Sequence, residues 1–264
     1  MLVAHRGMSS HAPENTIAAA KTAIEAGADI VECDVHLTKD GRAVVMHDLS
    51  LQRTTNSRAM VSDLDSHELA KLDAGSWFHP AFSDQRVPML TDLIRLVNKR
   101  AKLLIEIKPS RIEFKPSRAG GLVKLHVYGG LAECVLADVK AANAESWCIV
   151  QSFAPAYLQT LKSLQTQMEL QLLVMPQEII CGWGAVDRPE LRALVKSMNL
   201  WHYRCTEAMV RGLHERGFKV LAWTVDDAAT MRKCLQNGVD GLITNSIETA
   251  KLVLAEAHGA RLFA

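Results

Sequence analysis

The sequence predicts a closed (β/α)₈ barrel, the TIM barrel, and three observations lead there. Short apolar runs alternate with amphipathic stretches along nearly all of the 264 residues. Eight strand–helix units can be marked out, a number that suits one barrel domain of this length. Several runs end in charged side chains, the place where barrel enzymes carry their chemistry. A doubly wound open sheet is the competing arrangement.

The elements follow in order. Leu2–His5 forms the first strand, and the helix over Glu14–Ala26 closes at Gly27, which suits a left-handed C-terminal cap. Ile30–Val35 is the second strand, and a further apolar run, Ala43–Met46, leads into His47-Asp48. Residues 49–86 break the rhythm, with Thr54-Thr55-Asn56, a helical segment near His67–Leu72, then Trp77, Phe78 and Phe82. That stretch is too long for an ordinary connection and reads as a small inserted subdomain over the barrel mouth. Helix Met89–Lys99 and strand Leu103–Lys108 follow, then a basic loop over Pro109–Gly121 and a helix over Gly121–Ala142. Strand Trp147–Ser152, helix Ala154–Leu164 and strand Leu170–Val174 lead to an irregular stretch, Ile179–Asp187. Helix Glu190–Ser197, strand Leu200–His202 and helix Glu207–Arg216 come next, the last closed by Gly217. Strand Lys219–Val225, helix Ala228–Gln236, strand Gly241–Thr244 and helix Ser246–Ala257 complete the series. Asn245 with Glu248 three residues on has the form of an N-terminal capping pair.

Composition narrows the function. A net charge of +1 offers no electrostatic footprint for nucleic acid or an anionic membrane. Six cysteines without a CxxC pair argue against a zinc site or a disulfide scaffold. No apolar run approaches the roughly 20 residues of a membrane span. With the first strand beginning at Leu2 there is no room for a cleavable leader, so a cytoplasmic location is expected.

Alternation along a strand puts Glu32 and Asp34 on one face, and Glu106 and Lys108 on one face of another strand. In a barrel the inward faces converge, so three carboxylates surround one point. Hard oxygen donors favour Mg²⁺ or Ca²⁺ over zinc. His36 continues the Glu32/Asp34 face and is a candidate fourth ligand, or a histidine that only satisfies a loop. Arg6 and Lys108 beside such a cation would attract phosphate. His5 and His47 could then divide the proton transfers of phosphodiester cleavage. Taken singly, His5 reads as a satisfied strand end, Glu32 and Asp34 as a helix-facing ion pair, and Arg6-Gly7 as a turn. Joint occurrence on several strand ends favours one site.

The ordered set His5-Arg6-Gly7, Pro13-Glu14-Asn15-Thr16, Glu32-Cys33-Asp34-Val35, Thr38-Lys39-Asp40-Gly41, His47-Asp48, Val87-Pro88, Glu106-Ile107-Lys108, Gln151-Ser152-Phe153, Trp223-Thr224-Val225 and Gly238-Val239-Asp240-Gly241 resembles the glycerophosphodiester phosphodiesterase family. It covers nearly the whole chain. The resemblance implies a (β/α)₈ barrel with a family-specific insertion, here residues 49–86. It implies a His5/His47 acid/base pair, a divalent cation on Glu32, Asp34 and Glu106, and phosphate contacts from Arg6 and Lys108. Glu14, Asn15 and Asp48 would support the site, and Phe153 and Trp223 would wall the glycerol moiety. The implied reaction is hydrolysis of a small-molecule glycerophosphodiester to sn-glycerol 3-phosphate and an alcohol. Lysophospholipid cleavage or release of a cyclic phosphate through the same site is the alternative, and a non-catalytic phosphate-binding barrel is a third reading. One departure is Asn245, where the family usually ends its eighth strand with Asp.

Overall fold

The computed structural model describes residues 1–115, 122–174 and 189–261. Eight parallel strands close on themselves: β1 (Leu2–Ala4), β2 (Ile30–Leu37), β4 (Lys102–Ile107), β7 (Cys148–Ser152), β8 (Glu169–Val174), β9 (Ser197–Trp201), β10 (Lys219–Trp223) and β11 (Gly241–Thr244). Pairing of β1 with both β2 and β11 shuts the barrel. Strand β3 (Ala43–Val45) runs antiparallel on β2, and β5 (Arg111–Lys115) pairs with β6 (Leu122–His126) as a separate hairpin. Around the barrel lie α1 (Ile17–Glu25), α3 (Leu90–Val97), α4 (Leu131–Ala141), α5 (Pro155–Ser163), α6 (Pro189–Leu194), α7 (Glu207–Glu215), α8 (Ala228–Gln236) and α9 (Ile247–Arg261), with the short α2 (Ser66–Leu69) between β3 and α3.

The period of two along each strand separates two cores. Val31, Cys33 and Val35 on β2, with Leu103, Ile105 and Ile107 on β4, face the helices and join the large outer core. Val3, Ile30, Leu104, Ile149, Leu221 and Ile243 point inward and pack together as the barrel floor. Glu32 and Asp34 share the parity of Ile30, and Glu106 that of Leu104, so these acids stand above the floor on the inner face. A third apolar cluster of Val44, Met46, Leu51, Val61, Leu69, Ala74 and Val87 gathers β3 and residues 49–86 apart from both.

Four expectations need correction. The stretch read as one helix over Gly121–Ala142 contains β6 and only then α4, because Leu122–His126 pairs antiparallel with β5. Gly130, at φ 89°, turns the chain into α4. The basic loop expected over Pro109–Gly121 is, in its described part, largely β5. The sixth barrel strand is Ser197–Trp201 rather than Leu200–His202, and the helix before it, read over Glu190–Ser197, ends at Leu194. Inward-pointing Ser197 and Asn199 hid this strand, since their polarity breaks an apolar run. Ile179–Asp187 lies outside the described residues.

Asn199 explains how a polar side chain is tolerated inside the barrel. Its Nδ2 donates to Gln151 Oε1 at 2.8 Å and Gln171 Oε1 at 2.9 Å, and its Oδ1 accepts from Ser197 Oγ at 2.8 Å. Asn199→Ala strands two buried acceptors, while Ser197 Oγ keeps the Lys219 carbonyl at 3.2 Å, so chemical denaturation should show a loss of about 2–3 kcal/mol.

Candidate active site

The site begins in the backbone after β1. Arg6 (φ 56°) and Gly7 (φ 78°) are both left-handed, which turns the chain sharply over the barrel mouth. Gly7 is obligatory there, because a Cβ would lie 2.5 Å from the carbonyl carbon of Ala19 in α1. The turn aims the Arg6 N–H at Glu32 Oε2, 2.7 Å away. Asn15, also left-handed at φ 57°, clasps Asp34 from both sides: Nδ2 donates to Oδ2 at 2.8 Å and Oδ1 accepts the Asp34 N–H at 3.2 Å.

Strand register brings the acids together. Asp34 on β2 stands opposite Glu106 on β4, and Glu32 is one inward position below Asp34. Carboxylate oxygens of Glu32, Asp34 and Glu106 lie within 4.8 Å of one another, and all three residues are buried. Lys108 Nζ sits 2.7 Å from Glu106 Oε1 and 3.2 Å from Asp34 Oδ1, and Arg6 Nε is 3.3 Å from Asp34 Oδ2. Burial pushes the Glu32 carboxyl well up, and the charges of Asp34 and Glu106 push it further. Burial acts the same way on Asp34, but Lys108 and Arg6 outweigh it and hold that carboxyl far below the usual range. Glu32 Oε1 and Asp34 Oδ1 are buried and receive no hydrogen bond. Three carboxylates against two cations, with Glu32 Oε1 left without a partner, are a donor set that fits a hard divalent cation.

His36 is not part of this cluster. Its Nε2–H donates to the His47 carbonyl at 3.0 Å and the Tyr128 hydroxyl lies 3.4 Å from its Nδ1, so both ring nitrogens already face protein partners.

The two histidines are held differently. His47 Nδ1–H donates to Asp48 Oδ1 at 2.5 Å. His5 Nδ1 lies 2.8 Å from Asn245 Oδ1, and burial, with Arg6 adding to it, holds this imidazole down at about 4. Both histidines line a cavity of about 100 Å³ together with Arg6, Lys108, Phe153 and Trp223. The last two meet edge to face with ring centroids 5.5 Å apart, and the Trp223 indole N–H is anchored on the Asn199 carbonyl at 2.8 Å.

One important side chain escaped the sequence reading. Arg53, from residues 49–86, donates from Nη1 and Nη2 to the two Glu14 oxygens at 2.7 and 2.8 Å. Its Nε donates to Asp48 Oδ2 at 2.6 Å. Glu14 in turn accepts from Arg6 Nη1 at 2.9 Å. Partial burial raises the Asp48 carboxyl, but Arg53 and His47 prevail and bring it to about 2. Nothing local in the Arg53 sequence signals this role. Asp226 was also missed, although two consecutive aspartates after a strand, where one suffices to cap a helix, are a usable clue.

His5, Arg6, His47, Glu106, Lys108, Phe153 and Trp223 thus line one cavity, with Glu32 and Asp34 beside Glu106. The sequence pattern of the glycerophosphoryl diester phosphodiesterase family matches residues 5–249. The chain belongs to that family. It is 36% identical over 250 residues to the glycerophosphodiester phosphodiesterase of Caldanaerobacter subterraneus, covering 94% of this chain and 95% of that one. A glycerophosphodiester phosphodiesterase of Bacillus altitudinis is 30% identical over 260 residues, covering 97% and 98%. Among solved structures, an Oleispira antarctica phosphodiesterase in complex with the product sn-glycerol 3-phosphate superposes with a TM-score of 0.81 at 26% identity, over 97% of this chain and 96% of that one. No helix among the described residues is long and apolar enough to cross a membrane.

The raised Glu32 carboxyl gives a stability test. A carboxyl whose folded value lies above its unfolded one stabilises the fold only at low pH, and that contribution is lost as pH rises through the folded value. Above the unfolded value Glu32 therefore weighs against the cation-free fold. Glu32→Gln should raise the melting temperature of chelator-treated protein at pH 7.5 and shrink the further rise that added Mg²⁺ or Ca²⁺ gives the unaltered chain.

Proposed function

We propose that this protein hydrolyses glycerophosphodiesters to sn-glycerol 3-phosphate and an alcohol such as choline, ethanolamine or glycerol. The observation that carries this reading is the meeting of two imidazoles, Arg6, Lys108 and an aromatic wall around one cavity beside the buried carboxylate trio. The family to which the chain belongs and the product held by the Oleispira antarctica neighbour support it.

Arg6 and Lys108 grip the phosphate, the first through a planar fork and the second as a point charge. Phe153 and Trp223 present apolar faces to the glycerol carbons. Glu32, Asp34 and Glu106 hold Mg²⁺ or Ca²⁺, which when bound supplies charge withdrawal from the phosphoryl oxygens. His5, neutral and backed by an amide, takes the proton of the attacking water. His47, backed by the Asp48 carboxylate, delivers a proton to the departing alkoxide, because a carboxylate stabilises an imidazolium more than an amide does. Glu14, Asn15 and Asp48 keep Arg6, Asp34 and His47 in place. Residues 49–86 form a small subdomain at the mouth, tied down through Arg53, and are placed to influence the choice of alcohol. The free thiols of the described cysteines suit a reducing cytoplasm.

Chelation should abolish release of glycerol 3-phosphate from glycerophosphocholine, and Mg²⁺ or Ca²⁺ should restore it. His5→Ala and His47→Ala should each lower kcat by roughly 10²–10⁴, measured by coupled assay. Wild-type turnover in either variant, or a persistent cyclic ester in the phosphorus NMR spectrum of the products, would overturn the assignment. Arg53→Ala releases both Glu14 and Asp48, so it should lower kcat by about tenfold, less than loss of an acid/base group itself.

A further inference from the structure

Asn245, just past β11, sits between two partners that constrain it from opposite ends. Its Oδ1 lies 2.8 Å from His5 Nδ1 and accepts from Ser9 Oγ at 2.7 Å. Its Nδ2 donates to Asp226 Oδ2 at 2.7 Å, and its backbone N–H donates to Asp226 Oδ1 at 2.8 Å. Helix capping does not account for Asp226, because the adjacent Asp227 caps α8 by accepting the Thr230 N–H at 2.9 Å.

We infer that Asp226 is a positioning residue for His5, acting through the Asn245 amide to select the imidazole tautomer. The logic is one of donors and acceptors. An ionised carboxylate only accepts, so Asp226 must face the amide NH₂. That turns the Asn245 carbonyl toward His5. A carbonyl also only accepts, so His5 must carry its proton on Nδ1, which leaves Nε2 as the nitrogen with a free lone pair. The two ends of an amide have almost the same shape, so without Asp226 it can reverse. A reversed amide would offer NH₂ to Nδ1 and favour the proton on Nε2, where it blocks acceptance of a substrate proton. Asn245, the one departure from the family pattern, thus works only because Asp226 orients it.

This inference rests on the proposed acid/base role of His5, so its test needs a readout besides activity. In the cation-loaded full chain with ¹⁵N-labelled histidine, the wild-type His5 resonances should report the Nδ1–H tautomer. Asp226→Ala should shift them toward Nε2–H and lower kcat about tenfold with KM within about twofold, below the roughly 10²–10⁴ of a lost acid/base group. The paired exchange Asn245→Asp with Asp226→Asn reverses donor and acceptor between these two positions while keeping an acceptor on Nδ1, and should restore the Nδ1–H tautomer that Asp226→Ala loses. Should Asp226→Ala fail to fold, Asn245→Leu removes the same constraint and retains the bond from Asp226 to the backbone N–H. A proton on Nε2 in the wild type, or an unchanged tautomer and kcat in the folded variant, would overturn the inference. Full activity in His5→Ala would instead sink the acid/base role and leave the tautomer result standing.

Discussion

The constraint on which the rest depends is electrostatic: three carboxylates are buried on the inner wall of a barrel with, among the described residues, two cationic side chains paired to them. Buried charges are tolerated when they are paired or hold a metal. The surroundings of Glu32, Asp34 and Glu106 are organised around that requirement. Arg6 adopts a left-handed backbone so that its N–H reaches Glu32 while its guanidinium reaches Asp34 and Glu14. Gly7 lets the same turn press against α1.

From there the charges alternate outward. Asp34 meets Arg6, Arg6 meets Glu14, Glu14 meets Arg53, Arg53 meets Asp48, and Asp48 meets His47. Each member is neutralised by the next, so the orientation of His47 is mechanically continuous with the carboxylate trio across elements distant in sequence. On the opposite side, His5 ends a different series of neutral and acidic partners, Asn245 and Asp226. Two imidazoles on one cavity therefore stand in contrasting fields, which is the condition for one to accept a proton while the other gives one. An unpartnered Glu32 Oε1 and a raised Glu32 carboxyl show stability conceded for this arrangement.

Much of this was legible in the residues because local rules govern it. A period of two is a property of any strand, so the shared face of Glu32 and Asp34, and the shared face of Glu106 and Lys108, follow without coordinates. Strand ends such as His5 are equally local, and so are helix stops such as Gly27 and Gly217. Where polarity interrupted an apolar run the reading failed. Ser197 and Asn199 belong to a barrel strand whose inward positions are satisfied only by Gln151 and Gln171 on neighbouring strands. The hairpin of β5 and β6 was lost for a related reason, since neither partner carries a strong signal alone.

The sequence by itself determined the barrel, the inward acids, the histidines and the family, because periodicity and ordered motifs are carried by residues close together in the chain. Only the tertiary structure decided which groups pair. Arg53 reaches Glu14 across 39 positions of sequence, and Asn245 reaches His5 across 240. It also removed His36 from the ligand set, because a carbonyl and a tyrosine brought in from elsewhere occupy its nitrogens. Hydrogen bonds and ion pairs act over a few ångströms of space, and separation along the chain does not report that distance until the barrel has closed.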